Sequence, residues 1–248
     1  MTWSYTFVEL LFAHIIADFA VRREILKKNG RVPTQPSYIH LAVFVALSLP
    51  LFVSPSPAAL VLVLVAAGLH YVIDFSFSRT AMWNTEIESK QRWLFAAQQL
   101  IKILLLALVG WGLAEADAYG PTAGIAQVTF VLPYLLGYSI AIFLGDAFVS
   151  FVLTALQWDS RAPGKSVEGA GRLIGIFEAI LVTTFVIGYQ YSAVGLVMAA
   201  KSVARFEWLK NDQGKAEYFL IGTLANLTCS VLGGIVALWL AGHPVFFP

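Results

Sequence analysis

The sequence predicts an all-α fold, a polytopic bundle of transmembrane helices. Three observations predict it. Of 248 residues, 58% are apolar and 12% are Asp, Glu, Lys or Arg, and the mean hydropathy is +0.75. A soluble domain carries about 25% charged residues. Apolar runs of about 20 residues, enough to cross a hydrocarbon core, recur along the chain. Basic residues fall on alternate connecting segments, as they do in multi-pass proteins. The same composition excludes disorder, a collagen-like fibre and a basic nucleic-acid-binding face, and a net charge of +1 implies no polyanionic partner. The single cysteine, Cys229, excludes an internal disulfide and a cysteine-based metal cluster, and is expected to pack in an apolar helix.

Seven spans are expected, at 3–21, 37–54, 58–77, 93–114, 128–156, 172–191 and 218–241. Pro33, Pro36, Pro55, Pro57, the Gly120–Pro121 pair and the Pro163–Gly164 pair punctuate the gaps. An eighth segment, 193–208, is apolar to Ala200 and then carries Lys201 and Arg205, so it reads as a short helix, broken or interfacial. Two modules follow: residues 1–115, four helices, and residues 126–248, three long helices and the short one. Met1–Ala20 holds no Lys or Arg, and the basic cluster comes after it. That order fits a first transmembrane helix and not a cleavable secretory leader, which has its basic residues first.

Charge sets the expected orientation. Arg22, Arg23, Lys27, Lys28 and Arg31 follow the first span. Arg79, Lys90 and Arg92 follow the third, and Arg161, Lys165 and Arg172 follow the fifth. These are 11 of the 16 basic residues. The intervening segments hold none: 54–57 is Ser-Pro-Ser-Pro, and 115–125 carries Glu115 and Asp117. The basic segments are therefore expected on the cytoplasmic side of a bacterial inner membrane, with the N-terminus outside. The side of the C-terminus depends on whether 193–208 crosses.

An ionisable group in hydrocarbon is costly and marks a functional hypothesis. The first span carries His14 and Asp18, and the third carries His70 and Asp74. Each pair is spaced i, i+4 and so shares a helical face. Both read His-x-x-x-Asp-Phe, an internal repeat of a kind common in membrane transport folds. At 1.5 Å per residue, Asp18, Asp74 and His40 lie about 5 Å in from the cytoplasmic end, and His14 and His70 about 10 Å. Gln98, Gln99 and Lys102 of the fourth span enter from the same side, about 8–14 Å deep. Four helices thus bring polar groups to one layer.

Two imidazoles, two carboxylates and a third histidine nearby suit one divalent zinc, iron or manganese ion, with His14, Asp18, His70, Asp74 and His40 as candidate ligands. The competing reading has no metal: each Asp pairs with its own His across a turn, or with a basic residue of the adjacent segment. A second polar set comprises Asp146, Glu178, Lys201 and Arg205. An acid pairing with Lys201 or Arg205 would offset both desolvation costs. Lys201 and Arg205 are also spaced to present a twin-cation face to a substrate anion. Glu9 lies about 140° around the first helix from His14 and belongs elsewhere. Gly222, Gly233 and Gly234 suit close helix approach. Soluble catalytic motifs (HExxH, GxSxG, a Walker loop) are absent from the sequence.

The blocks Leu11-Phe12-Ala13-His14-Ile15-Ile16-Ala17-Asp18-Phe19, Leu69-His70-Tyr71-Val72-Ile73-Asp74 and Phe95-Ala96-Ala97-Gln98-Gln99-Leu100-Ile101-Lys102 resemble a bacterial membrane family, domain-of-unknown-function family 3307. Blocks 171–178, 199–206 and 216–224 resemble longer members of that family. The resemblance implies a multi-pass inner-membrane protein and supplies no activity. It also implies a fourth-helix pattern Asp-Gln-x-x-His, where this chain has Gln98, Gln99 and Lys102. Two potential ligands are thus replaced, one by an ammonium that would repel a metal or pair with Asp18 or Asp74.

Three functions stay open. One is a metal-dependent hydrolase acting on an amphiphilic, lipid-like or phosphate-bearing substrate, with Lys102, Lys201 or Arg205 stabilising the developing anion. Another is an ion, proton or small-solute transporter or channel. The third is a non-catalytic subunit whose polar layer fixes helix packing, with a membrane-protein partner supplying function. The expected surroundings are a lipid bilayer and no nucleic acid.

Overall fold

The computed structural model describes residues 2–22, 38–48, 57–82, 88–115, 125–155, 170–210 and 213–245. Every element among them is helical. Helix α1, Thr2–Ile15, passes into a π-helical turn, Ile16–Arg22. Helices α2 (Tyr38–Ser48), α3 (Pro57–Met82) and α4 (Glu88–Glu115) follow. Helix α5, Ile125–Ser139, contains Pro133 and leads through a second π-helical turn, Ile140–Leu144, into α6, Gly145–Ala155. The chain closes with α7 (Ala170–Ile187), α8 (Tyr191–Leu209) and α9 (Gln213–Leu240). Arg23, Lys27, Lys28, Arg31, Asp117, Arg161 and Lys165 lie outside the described residues, as do Pro33, Pro36, Pro55, Gly120, Pro121, Pro163 and Gly164.

Four described helical stretches are long and apolar enough to cross a membrane: Leu94–Gly112, Phe130–Leu153, Ala170–Ile187 and Gln213–Leu240. The chain is therefore a helical membrane protein, but the expected seven spans are too many. The first expected span, α1 with its π-turn, is not among the four. Tyr38–Ser48 and Leu60–Ser76, the latter part of the 26-residue α3, are shorter apolar stretches outside the four. Segment 193–208 is one continuous helix, α8, not a broken one, and it is not among the four.

The polarity of the helices is inverted relative to a water-soluble bundle. Helix α3 exposes Val61, Leu64, Val65, Leu69 and Val72 and buries His70 and Asp74. Helix α4 exposes Leu100, Ile101, Leu104, Leu108 and Trp111 and buries Gln98, Gln99 and Lys102. An apolar outer face with polar groups turned inward suits a lipid solvent, in which a buried polar group must find its partner within the protein.

The chain divides into two compact units, Met1–Leu132 and Pro133–Pro248. In the first, α1 and α3 pack on α4, and α2 packs on α1, α3 and the first π-turn. Small and aliphatic side chains make its apolar core, among them Leu10, Ala13, Ala17, Val63, Ala66 and Leu106, with Phe44. In the second, α9 packs against α6, α7, α8 and the second π-turn. A methyl group on Gly137 would lie 2.5 Å from the Gly233 carbonyl oxygen, so only glycine lets the two backbones meet there. A methyl group on Gly234 would lie 2.6 Å from Val186 Cγ1, whereas one on Gly222 would make only ordinary contact with Leu153.

Candidate functional site

The two His-x-x-x-Asp repeats converge inside the first unit, but the pairing is crossed between helices. His70 Nε2 lies 3.1 Å from Asp18 Oδ1, and His40 Nε2 lies 2.9 Å from Asp74 Oδ2. The within-helix pairs are longer: His14 Nδ1 to Asp18 Oδ2 is 4.0 Å, and His70 Nε2 to Asp74 Oδ2 is 3.8 Å. Geometry explains the exchange. The i, i+4 spacing puts both side chains on one face, where each points at the neighbouring helix as readily as along its own.

Each carboxylate is divided between two kinds of partner. Asp18 Oδ1 and Asp74 Oδ2 face the imidazoles. On the other side, Lys102 Nζ lies 2.6 Å from Asp18 Oδ2 and 2.7 Å from Asp74 Oδ1, bridging both acids. Gln99 Nε2 donates to Asp18 Oδ2 at 3.1 Å, and Gln98 Nε2 donates to Asp74 Oδ1. Lys102, Asp18, His40, His70 and Asp74 are all buried, and Lys102 is 0% exposed. Such an ammonium persists only because two carboxylates and their hydrogen bonds repay its desolvation.

Asp18, His40, His70 and Asp74 each offer one ligand atom, and the four atoms lie within 4.8 Å of one another. Nitrogen and oxygen alternate around the ring, with adjacent separations of 3.1, 3.8, 2.9 and 3.9 Å. A tetrahedral ion with bonds of about 2.0–2.1 Å sets its ligand atoms roughly 3.3 Å apart. The set could therefore hold a metal ion. His14 is not part of it. Its Nδ1 lies 4.0 Å from the Asp18 oxygen already used by Lys102 and Gln99, and both its ring nitrogens lack a hydrogen-bond partner among the described residues. It packs edge-on against His70, with ring centroids 5.2 Å apart. Glu9 is buried elsewhere on α1.

The π-turn carries Asp18. Its hydrogen bonds run from i to i+5 instead of i to i+4, and such turns recur at functional sites. Nothing in residue type distinguishes this stretch from the α-helix before it.

The second unit holds the remaining polar set. Lys201 Nζ pairs with Glu178 Oε2 and lies 5.5 Å from the centroid of the Phe219 ring. Asp146 pairs with Arg172, whose Nε donates to Oδ2 at 2.9 Å. In the sequence Arg172 reads as a cation of a connecting segment, and the structure adds its approach to Asp146. Arg205 lies with Lys201 beside one cavity, together with Thr223 and Asn226 of α9. Asn226 was missed as well; an amide within an otherwise apolar span was the available signal. Cys229 is free and buried, in an apolar helix.

No curated protein and no solved structure matches the chain. Residues 6–119, the stretch that contributes His14, Asp18, His40, His70, Asp74 and Lys102, match the family described as "Protein of unknown function (DUF3307)". Over that stretch the chain is similar to that family.

Proposed function

We propose that the first unit is a membrane-embedded binding site for one divalent transition-metal ion of the zinc, iron or manganese class. Asp18 Oδ1, His40 Nε2, His70 Nε2 and Asp74 Oδ2 would be its ligands. The single observation that carries this reading is the alternating ring of two nitrogens and two oxygens within 4.8 Å. Lys102 holds the outer oxygens and fixes both carboxylates in place. Four protein ligands fill a tetrahedral ion, whereas a hydrolytic zinc site keeps one position open for water. The donor set thus favours binding or passage of an ion over hydrolysis of an amphiphilic substrate. On the charge distribution of its connecting segments, the chain is assigned to a bacterial cytoplasmic membrane with its basic segments on the cytoplasmic side.

A second reading has its own support. His40 Nδ1 and His70 Nδ1 have no hydrogen-bond partner among the described residues. A metal-ligating histidine usually donates its other N–H to an acceptor. Without an ion, Nε2–H of each ring donates to the facing carboxylate, and the ring of hydrogen bonds fixes the packing of α1 to α4. A membrane subunit serving a partner protein would need nothing more.

Elemental analysis of the chain purified in detergent without chelator separates the two. Metal binding gives about one equivalent of metal per chain, lost in both His70→Ala and Asp74→Asn. A metal content near zero, unchanged after incubation with zinc, iron(II) or manganese salts, would leave only the hydrogen-bonded layer.

A further inference from the structure

The second unit contains a cavity of about 310 Å³, at the lower end of the range for small-ligand sites. Residues of the second π-turn, α6, α7, α8 and α9 line it. Ile142, Val149, Leu153 and Ile174 supply an apolar wall. The charged side chains around it are engaged within the protein. Arg172 pairs with Asp146, and Lys201 pairs with Glu178 and lies 5.5 Å from the centroid of the Phe219 ring. Arg205 has interactions of its own. An ion leaves water only where a counter-charge receives it. The cavity is therefore matched to a ligand without net charge.

Two uncharged polar side chains of α9 line the same space. Thr223 and Asn226 are spaced i, i+3 and share a helical face, and both are more than nine-tenths buried. Thr228 and Ser230 of the same helix return their hydroxyls to the carbonyls of Leu224 and Asn226, four residues back. The Thr223 hydroxyl makes no such bond and has no hydrogen-bond partner among the described residues. Asn226 gives one amide N–H to the Gly175 carbonyl at 3.2 Å, which leaves the second N–H and the amide oxygen. A buried hydroxyl or amide is costly until it is hydrogen-bonded. A methyl group added at Gly175 would meet nothing within 4 Å, so glycine keeps this side of the cavity open.

We propose that this cavity binds an uncharged amphiphile, one hydroxyl or carbonyl group on an apolar skeleton. The polar group bonds to Thr223 and Asn226, whose hydroxyl and amide each supply a donor and an acceptor. The skeleton lies along the aliphatic wall. An apolar lining with a few placed polar groups is the general makeup of small-ligand sites. The site shares no residue with the His/Asp ring of the first unit, and neither reading depends on the other.

The full chain in phosphatidylcholine nanodiscs is photolabelled with a diazirine-bearing octanol, and the labelled residues are mapped by mass spectrometry. Saturable labelling is expected at the cavity wall, on Leu153 or Ile174, with 1-octanol competing for it. At equal concentration in the membrane, octane and octanoate should compete less well, octane by roughly three- to tenfold, the worth of one neutral hydrogen bond. Thr223→Val removes the hydroxyl at nearly constant shape and should weaken 1-octanol by the same factor while leaving octane unchanged. Gly175→Leu fills the open space without altering a charge and should abolish the labelling. The thermal midpoint of each variant without ligand checks that it has folded, and Thr223→Val carries the test if Gly175→Leu does not fold. Labelling that does not saturate, or that persists unchanged in the folded variants, would overturn the proposal. Octane or octanoate competing as well as 1-octanol would overturn it too.

Discussion

The two units solve the same problem differently. Each places carboxylates and cations inside helices that turn apolar faces outward. In the first unit two acids share one cation, and Lys102 is the fifteenth residue of α4, far from either end. In the second unit Glu178 pairs with Lys201 and Asp146 with Arg172, and Arg172 lies at the start of a helix. Sharing couples helices. Removing Lys102 strands two charges on two elements, whereas removing Arg172 disturbs one pair at a half-exposed edge. A buried shared ion is therefore a keystone, and an edge pair is a local adjustment.

The comparison can be broken by substitution, beginning with the keystone. Lys102→Met should cost the first unit about 3–5 kcal/mol, the usual penalty for leaving a buried charge without its partner. Chemical unfolding in mild detergent measures it, and adding Asp18→Asn should restore part of the loss through the coupling of adjacent sites. A loss below about 1 kcal/mol would mean that Lys102 does not hold the carboxylates. Lys201→Met should cost less, about 1–3 kcal/mol, because Lys201 is 19% exposed and water can reach the Glu178 pair. Equal losses at the two lysines would erase the distinction between shared and single pairs. Arg172→Gln should cost less than about 1 kcal/mol, since its side chain is 38% exposed and solvent screens the pair with Asp146. A larger loss would place Asp146 with the buried group.

Much of the first site is legible in the sequence because its repeat is exact in spacing and composition. His14-x-x-x-Asp18 and His70-x-x-x-Asp74 fall at similar depths, and His40 and Lys102 enter from antiparallel neighbours. Which histidine meets which acid is not legible. The i, i+4 spacing fixes a face, and the crossing of α1, α2 and α3 decides the partner. His14 shows the cost of that ambiguity, since it shares the motif and stands beside the four-atom ring. The span count failed for another reason. Apolar content marks a membrane helix but does not by itself fix the length of the helix that carries it, and α2 ends after 11 residues, at Ser48. The pairing of Asp146 with Arg172 escaped because an arginine flanking a span is read as a topology marker before it is read as a partner.

The π-turn at Ile16–Arg22 acts as a shim. It accommodates one more residue per loop of hydrogen bonding than the helix feeding it, so it has slack that an α-helix lacks. Rewinding that stretch as ordinary α-helix without changing its length would turn each of its residues through about 100° in place of the smaller step of a π-turn. Asp18 would then swing off its bearings while the apolar scaffold of α1 stayed seated. The aim of this one carboxylate is thus set by a local miscount in the winding, a feature that drift by insertion or deletion can tune without rebuilding the bundle.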